Sequence, residues 1–126
     1  MPEVSVVIPT IGRPALVVRA VESVLAQTLR DLEVIVVVDG PDPETAAALA
    51  SIADARMKVL SNQVPLRVGP TRNRGVGQAT APWIAFLDDD DAWLPTKLEK
   101  RLCATESWSQ ASRTPAAANA FTSEAT

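Results

Sequence analysis

Apolar residues in this 126-residue chain fall into two rhythms, one continuous and one helical. Val4 to Ile8 is a short β-branched run closed by Pro9, and residues 32–38, LEVIVVV, form another. Continuous apolarity over so few residues predicts strands buried on both faces. Between them, from Pro14 to about Thr28, Leu16, Val17, Ala20, Val21, Val24 and Leu25 recur at helical spacing, and Pro14 suits a first helical turn. DGPDP after the second run is dense turn chemistry, in which Asp42 caps a helix that begins at Pro43 and runs to about Ala53. Met57 to Leu60 predicts a third strand, residues 61–68 a loop, and Gly69 with Pro70 the opening of a third helix reaching Ala79. WIAFL, residues 83–87, predicts a fourth strand, and Pro95 starts a helix through TKLEKRL. Beyond Leu102 the periodicity fades. Residues 110–126, rich in Ala, Ser and Thr, are expected to be a poorly ordered tail, which leaves 1–109 as one domain.

The order of strand and helix alternates throughout, and hairpin signals are absent. That alternation predicts an α/β protein, an open parallel sheet of about four strands with helices on both faces and right-handed crossovers. In such sheets ligands bind outside the carboxyl ends of the strands, near the point where strand order reverses. The first strand delivers Pro9, Thr10 and Ile11 to that rim, the second Asp39 and Gly40, and the fourth Asp88, Asp89, Asp90 and Asp91.

Composition narrows the chemistry. With 47% hydrophobic and 21% charged residues the chain reads as globular, and the apolar run Val34 to Val38 is far too short to cross a bilayer. The N-terminus MPEVSVVIPT lacks the basic region of a secretory signal, so a cytoplasmic location is expected. A single cysteine, Cys103, excludes an intrachain disulfide and leaves a thiolate metal site without partners. No histidine is present, which excludes a histidine base and histidine-ligated zinc. A net charge of −3 argues against broad nucleic-acid binding. Carboxylates must carry any catalysis.

Four consecutive aspartates repel one another and call for a cationic partner. An aspartate run after a strand is also what a helix cap in a solvated turn looks like, and Asp39 before Gly40 suits a tight turn by itself. Two acidic groups from different strands on one rim favour a ligand instead. RVGPTRNRG, residues 67–75, adds three arginines around the start of the third helix, where backbone N–H groups favour phosphate; Arg72 lies just inside it. Carboxylates with phosphate oxygens are the usual shell of Mg²⁺ or Mn²⁺ held with a nucleotide. In an extended D-x-D turn the outer carboxylates point to a similar side and the middle one elsewhere.

VSVVIPTIGRPALVVRAVESVLAQTLRDLEVIVVVDG, then TRNRG, then PWIAFLDDDDAWLPTKLEKRL resemble the N-terminal, nucleotide-sugar-binding half of family 2 glycosyltransferases. The similarity covers about residues 3–102. It implies a Rossmann-like sheet of the GT-A type. It implies that Thr10 contacts the nucleotide base, that Asp39 bonds the base edge, typically uracil, and that Arg72 lies near base and phosphates. Asp88, Asp89 and Asp90 match the D-x-D signature, with Asp90 the metal ligand and Asp89 or Asp88 near the ribose and sugar; Asp91 belongs to the same turn. Ile11 stands where the family often has an aromatic residue stacked on the base, and Val38 where many members carry a first acid beside Asp39.

The resemblance implies metal-dependent transfer of a sugar from a nucleoside diphosphate, UDP-type, to an acceptor hydroxyl with inversion. The family's acceptor region and catalytic base follow the D-x-D region. Glu106 and Glu124 lie outside any strand-end context, so the chain is expected to carry the donor-binding half, with self-association through the face the other half would cover. Three rivals stand beside this reading. A non-catalytic nucleotide-binding module would keep the fold and lose the transfer. A receiver-type phosphoacceptor domain needs an acidic pair after the first strand, where Pro9 and Thr10 stand, and a sugar nucleotidyltransferase needs a glycine-rich basic loop where TIGRP supplies one glycine and one arginine.

Overall fold

A computed structural model describes residues 2–106 and 120–122, with side chains as far as Leu102. The elements are β1 (Val4–Thr10), α1 (Pro14–Leu25), β2 (Leu32–Val38), α2 (Pro43–Ala50), β3 (Met57–Ser61), α3 (Val68–Gly77), β4 (Trp83–Phe86), α4 (Lys97–Glu106) and β5 (Ala120–Thr122). The sheet order is β3-β2-β1-β4-β5, and every pairing is parallel. The four expected strands are present, and three residues of the 110–126 segment add a fifth beside β4. The remainder of that segment lies outside the described residues. The order reverses between β1 and β4, whereas a receiver-type sheet runs 2-1-3-4-5.

β1 and β2 are buried almost throughout, as their continuous apolar runs require. Val4, Val6 and Ile8 of β1 and Val34, Val36 and Val38 of β2 share one cluster with Val17, Ala20, Val21 and Val24 of α1, Leu49 of α2 and Leu98 of α4. The opposite face receives α3. There Gly75 sits so close to the sheet that a Cβ would stand 2.5 Å from a methyl of Val7 and 3.2 Å from one of Val37.

β1 runs two residues beyond its expected end at Ile8, through Pro9, because the missing N–H has no bond to make there. Val7 directs its carbonyl at β4, accepting from Leu87 N at 3.1 Å, so the backbone of residue 9 faces the same side. The β1–β4 ladder has already ended at Val7↔Phe86.

The helices depart from the sequence reading at their ends. α1 stops at Leu25, not Thr28, and Gln27 turns inward, fully buried. Its Nε2 donates to the Leu94 carbonyl at 2.7 Å and its Oε1 accepts from Leu98 N at 3.0 Å, pinning the approach to α4. α2 ends at Ala50, three residues short of Ala53, and α4 begins at Lys97, two residues after Pro95. α3 spans Val68–Gly77 where Gly69 to Ala79 was expected.

Candidate functional site

Register alone brings the acids to β1. Extending the pairing Val7↔Phe86 by three residues sets Asp89 opposite Thr10. Thr10 Oγ1 accordingly donates to Asp89 Oδ2 at 2.8 Å. On the other side of β1, Thr10 pairs with Val38, and the next amide, Asp39 N, donates to the Thr10 carbonyl at 2.8 Å. Thr10 therefore stands between the two acidic strand ends.

The four aspartates divide in two ways. Asp88, Asp90 and Asp91 each bring a carboxylate oxygen into one group whose members all lie within 4.8 Å of one another. Asp89 turns the other way and is buried, with Arg13 Nη1 donating to its Oδ1 at 3.2 Å. The outer carboxylates of the D-x-D thus share a side and the middle one does not, as an extended turn dictates. Arg13 also reaches Asp90 Oδ2 at 3.6 Å. Arg72 Nη2 pairs with Asp88 Oδ1 at 3.0 Å, and its guanidinium lies over the Phe86 ring, 5.5 Å from the centroid. Arg72 Nε is buried without a hydrogen-bond partner. Arg19 Nη2 donates to the main-chain carbonyl of Asp90 at 2.8 Å, fixing the turn rather than neutralising it.

Asp39 is the anchor of the loop before α3. Its Oδ1 accepts from Leu66 N at 2.6 Å and Asn62 Nδ2 at 3.0 Å, and its Oδ2 from Arg67 N at 2.9 Å. Donation from the Leu66 amide, helped by Asn62 and Arg67, holds the Asp39 carboxyl below its ordinary range despite the opposing effect of burial. The amides of Leu66 and Arg67, just ahead of α3, are thus taken by this carboxylate. They hold Arg67 at φ 74° and ψ 175°, a region nearly reserved for glycine. Buried Asn62 also donates to Thr71 Oγ1 at 3.1 Å and accepts from Arg74 Nη1 at 2.8 Å.

Asp42 works similarly on the neighbouring loop. It caps α2 as the sequence predicts, accepting from Thr45 N at 3.2 Å and Thr45 Oγ1 at 2.6 Å, and it also accepts from Gly12 N at 2.7 Å. The Thr45 hydroxyl and the Gly12 amide lower its pKa. Gly12 itself takes φ 65°, so the turn after β1 is tied to α2.

These loops border an open cleft of about 400 Å³ lined by Thr10, Thr71, Asp39, Asp88, Asp89 and Asp90, with Ile11 and Val68 supplying an apolar side. Five of the six residues singled out in the sequence therefore meet in one place. Arg72 does not line the cavity and touches it through Asp88. Arg13 does line it. Sequence reasoning passed Arg13 over because a lone arginine in TIGRP carries no pattern, while the Asp89 beside it becomes visible only with the register. Hard carboxylate oxygens gathered on one side of the turn are a donor set suited to Mg²⁺ or Mn²⁺.

An acidic cleft at the switch point of a parallel sheet lies where open α/β domains place their ligand sites. The glycosyl transferase family 2 profile matches residues 5–107, and the chain belongs to that family. A GalNAc(5)-diNAcBac-PP-undecaprenol beta-1,3-glucosyltransferase from Campylobacter jejuni is 37% identical over 98 residues, 75% of this chain and 31% of that protein. Among solved structures, Staphylococcus aureus TarS 1–349 in complex with UDP superposes with a TM-score of 0.77 at 22% identity, covering 83% of this chain and 32% of the other. The mannosyltransferase PcManGT from Pyrobaculum calidifontis, in complex with GDP-Man and Mn²⁺, gives 0.67 at 21% identity over 73% of this chain and 28% of the other. The chain spans about a third of the length of the curated relatives it matches.

Proposed function

We propose that this chain is the donor-binding part of a metal-dependent glycosyltransferase that moves a sugar, with inversion, from a nucleoside diphosphate to an acceptor hydroxyl. The observation that carries the reading is the meeting of Asp39, Asp89 and Asp90, from two strands far apart in sequence, in one cavity beside Thr10. A relative named as a glucosyltransferase and fold neighbours solved with UDP or with GDP-Man and Mn²⁺ support it.

In this reading Asp90, with Asp88 and Asp91, would hold Mg²⁺ or Mn²⁺, which when bound supplies positive charge against the leaving diphosphate. Ile11 and Val68 give the base an apolar contact in place of an aromatic stack. Asp39 reads the base edge. Its Oδ1 accepts two bonds and its Oδ2 one, and the Thr71 side chain bonds the carboxylate as well. An ionised acceptor asks for an N–H donor, which uracil N3, guanine N1 and the cytosine 4-amino group each present. Asp89 and Thr10 position the turn through their mutual bond. The base that deprotonates the acceptor is assigned to no residue of this chain.

Calorimetric titration of UDP and GDP with Mn²⁺ present tests the reading. UDP, or failing that GDP, is expected to bind, and EDTA to remove most of the affinity. Absence of both UDP and GDP binding with Mn²⁺ would overturn it.

A further inference from the structure

The cavity is lined by four carboxylates, and among the residues that line it Arg13 alone is basic. That balance poses a difficulty for any anionic ligand, because a diphosphate entering such a rim meets like charge unless cations stand between. Two further guanidinium groups lie behind the rim without lining the cavity: Arg72 is committed to Asp88 and to the Phe86 ring, and Arg19 to the main-chain carbonyl of Asp90.

Arg13 differs from Arg72 in how its two contacts are made. Its 3.2 Å bond goes to Asp89, whose side chain is only 11% exposed and is fixed from the other side by Thr10. Its second contact, at 3.6 Å, goes to Asp90, whose side chain is 55% exposed. Both contacts use the same nitrogen, Nη1, and the Arg13 side chain is itself half exposed. One arm of the interaction is therefore built into the fold, and the other is a loose surface pair of the kind that contributes at most about 1 kcal/mol. Pro14, immediately after Arg13, opens α1, so the backbone that carries the guanidinium is held at the helix start.

We propose that Arg13 is an exchangeable counter-ion of the donor site. Its guanidinium stays on Asp89, covers Asp90 in the metal-free protein, and leaves Asp90 for the diphosphate of the donor once Asp90 is engaged with a divalent cation. This rests on the donor-site reading above. No covalent step is involved; one ion pair is traded for another, and the guanidinium remains charged throughout.

The exchange predicts effects of opposite sign in one variant, which a merely structural arginine would not give. In Arg13→Gln, Mn²⁺ alone, followed by the electron paramagnetic resonance of the free ion, binds about two- to fivefold tighter than in the wild type, because the Arg13 guanidinium no longer competes for the Asp90 carboxylate. UDP at saturating Mn²⁺, followed by calorimetry, binds about tenfold more weakly, because a charge-assisted contact to the diphosphate is gone. Arg13→Lys keeps the charge, so its Mn²⁺ affinity stays near the wild-type value while UDP weakens by less, and it carries the test if Arg13→Gln does not fold. Mn²⁺ and UDP weakening in parallel, or Mn²⁺ affinity unchanged in Arg13→Gln, overturns the exchange and leaves the donor site standing. A wild-type chain that binds neither probe overturns both.

Discussion

At the residue scale the site is built from carboxylates that do two jobs at once. Asp39 lines the cavity and at the same time holds Asn62, Leu66, Arg67 and Thr71 through its oxygens. Its depressed pKa fixes the sign of its pH dependence. A carboxyl whose folded pKa lies below its unfolded value contributes stability that is complete above the ordinary Asp value, about 3.9, and is lost as pH falls through the folded value. Asp39→Asn exchanges an acceptor oxygen for a donor amide, and the Leu66 and Arg67 amides then lack a charged partner. The variant is expected to be less stable than the wild type by about 1 kcal/mol at pH 7, discounted for partial exposure. Urea denaturation at a series of pH values should show the difference shrinking below about pH 4 as the wild-type carboxyl protonates. A gap that widened in acid would contradict the assignment.

Glu33 obeys the same logic at the opposite end of the strands. Burial pushes its carboxyl up, but donation from Ser5 Oγ, Thr80 N, Thr80 Oγ1 and Lys58 Nζ outweighs this and holds it below the ordinary range. The charge is affordable in a β2 position that reads as core because each oxygen is met by donors. It ties the turn before β4 to the foot of the sheet, away from the site.

At the scale of elements, the close seat of α3 on β1 and β2 decides how the 62–67 loop reaches Asp39. Gly75 makes that seat possible. Gly75→Ala is favourable for helix propensity by roughly 1 kcal/mol, yet its methyl meets Val7 at 2.5 Å in the middle of the sheet. Overpacking of this kind typically costs about 1–3 kcal/mol. A net loss is expected in the urea midpoint, and weaker UDP binding should accompany it, since α3 carries Val68 and Thr71 of the cavity wall. Stabilisation by the alanine would mean that α3 lies farther from the sheet.

For the whole molecule, ligand and fold are linked by mass action. UDP at about one hundred times its Kd, in excess Mn²⁺, should stabilise the chain by about 2.7 kcal/mol, read as a rise of several degrees in Tm. Asp90→Asn, at a half-exposed position, should leave the ligand-free Tm within about one or two degrees of wild type and remove most of the Mn²⁺-dependent rise. Equal rises in the two proteins would detach Asp90 from the cation. Among the described residues no helix is long and apolar enough to cross a membrane.

The four main strands and four helices were legible in the sequence because burial on both faces and helical amphipathicity leave periods that need no knowledge of neighbours. The strand ends were legible too, and with them Thr10, Asp39 and the aspartate run. Element boundaries were less so: α1 ends early because buried Gln27 bonds Leu94 and Leu98, and β1 continues through Pro9 because its ladder with β4 has stopped. The partners were not legible at all. Arg13 meets Asp89 across 76 positions, Leu66 meets Asp39 across 27, and β5 adds to β4 in a stretch without strand periodicity. Local pattern determines which residues go to the rim of a parallel sheet. Which of them touch there is decided by strand order and register, which are properties of the packed sheet and not of any window of the chain.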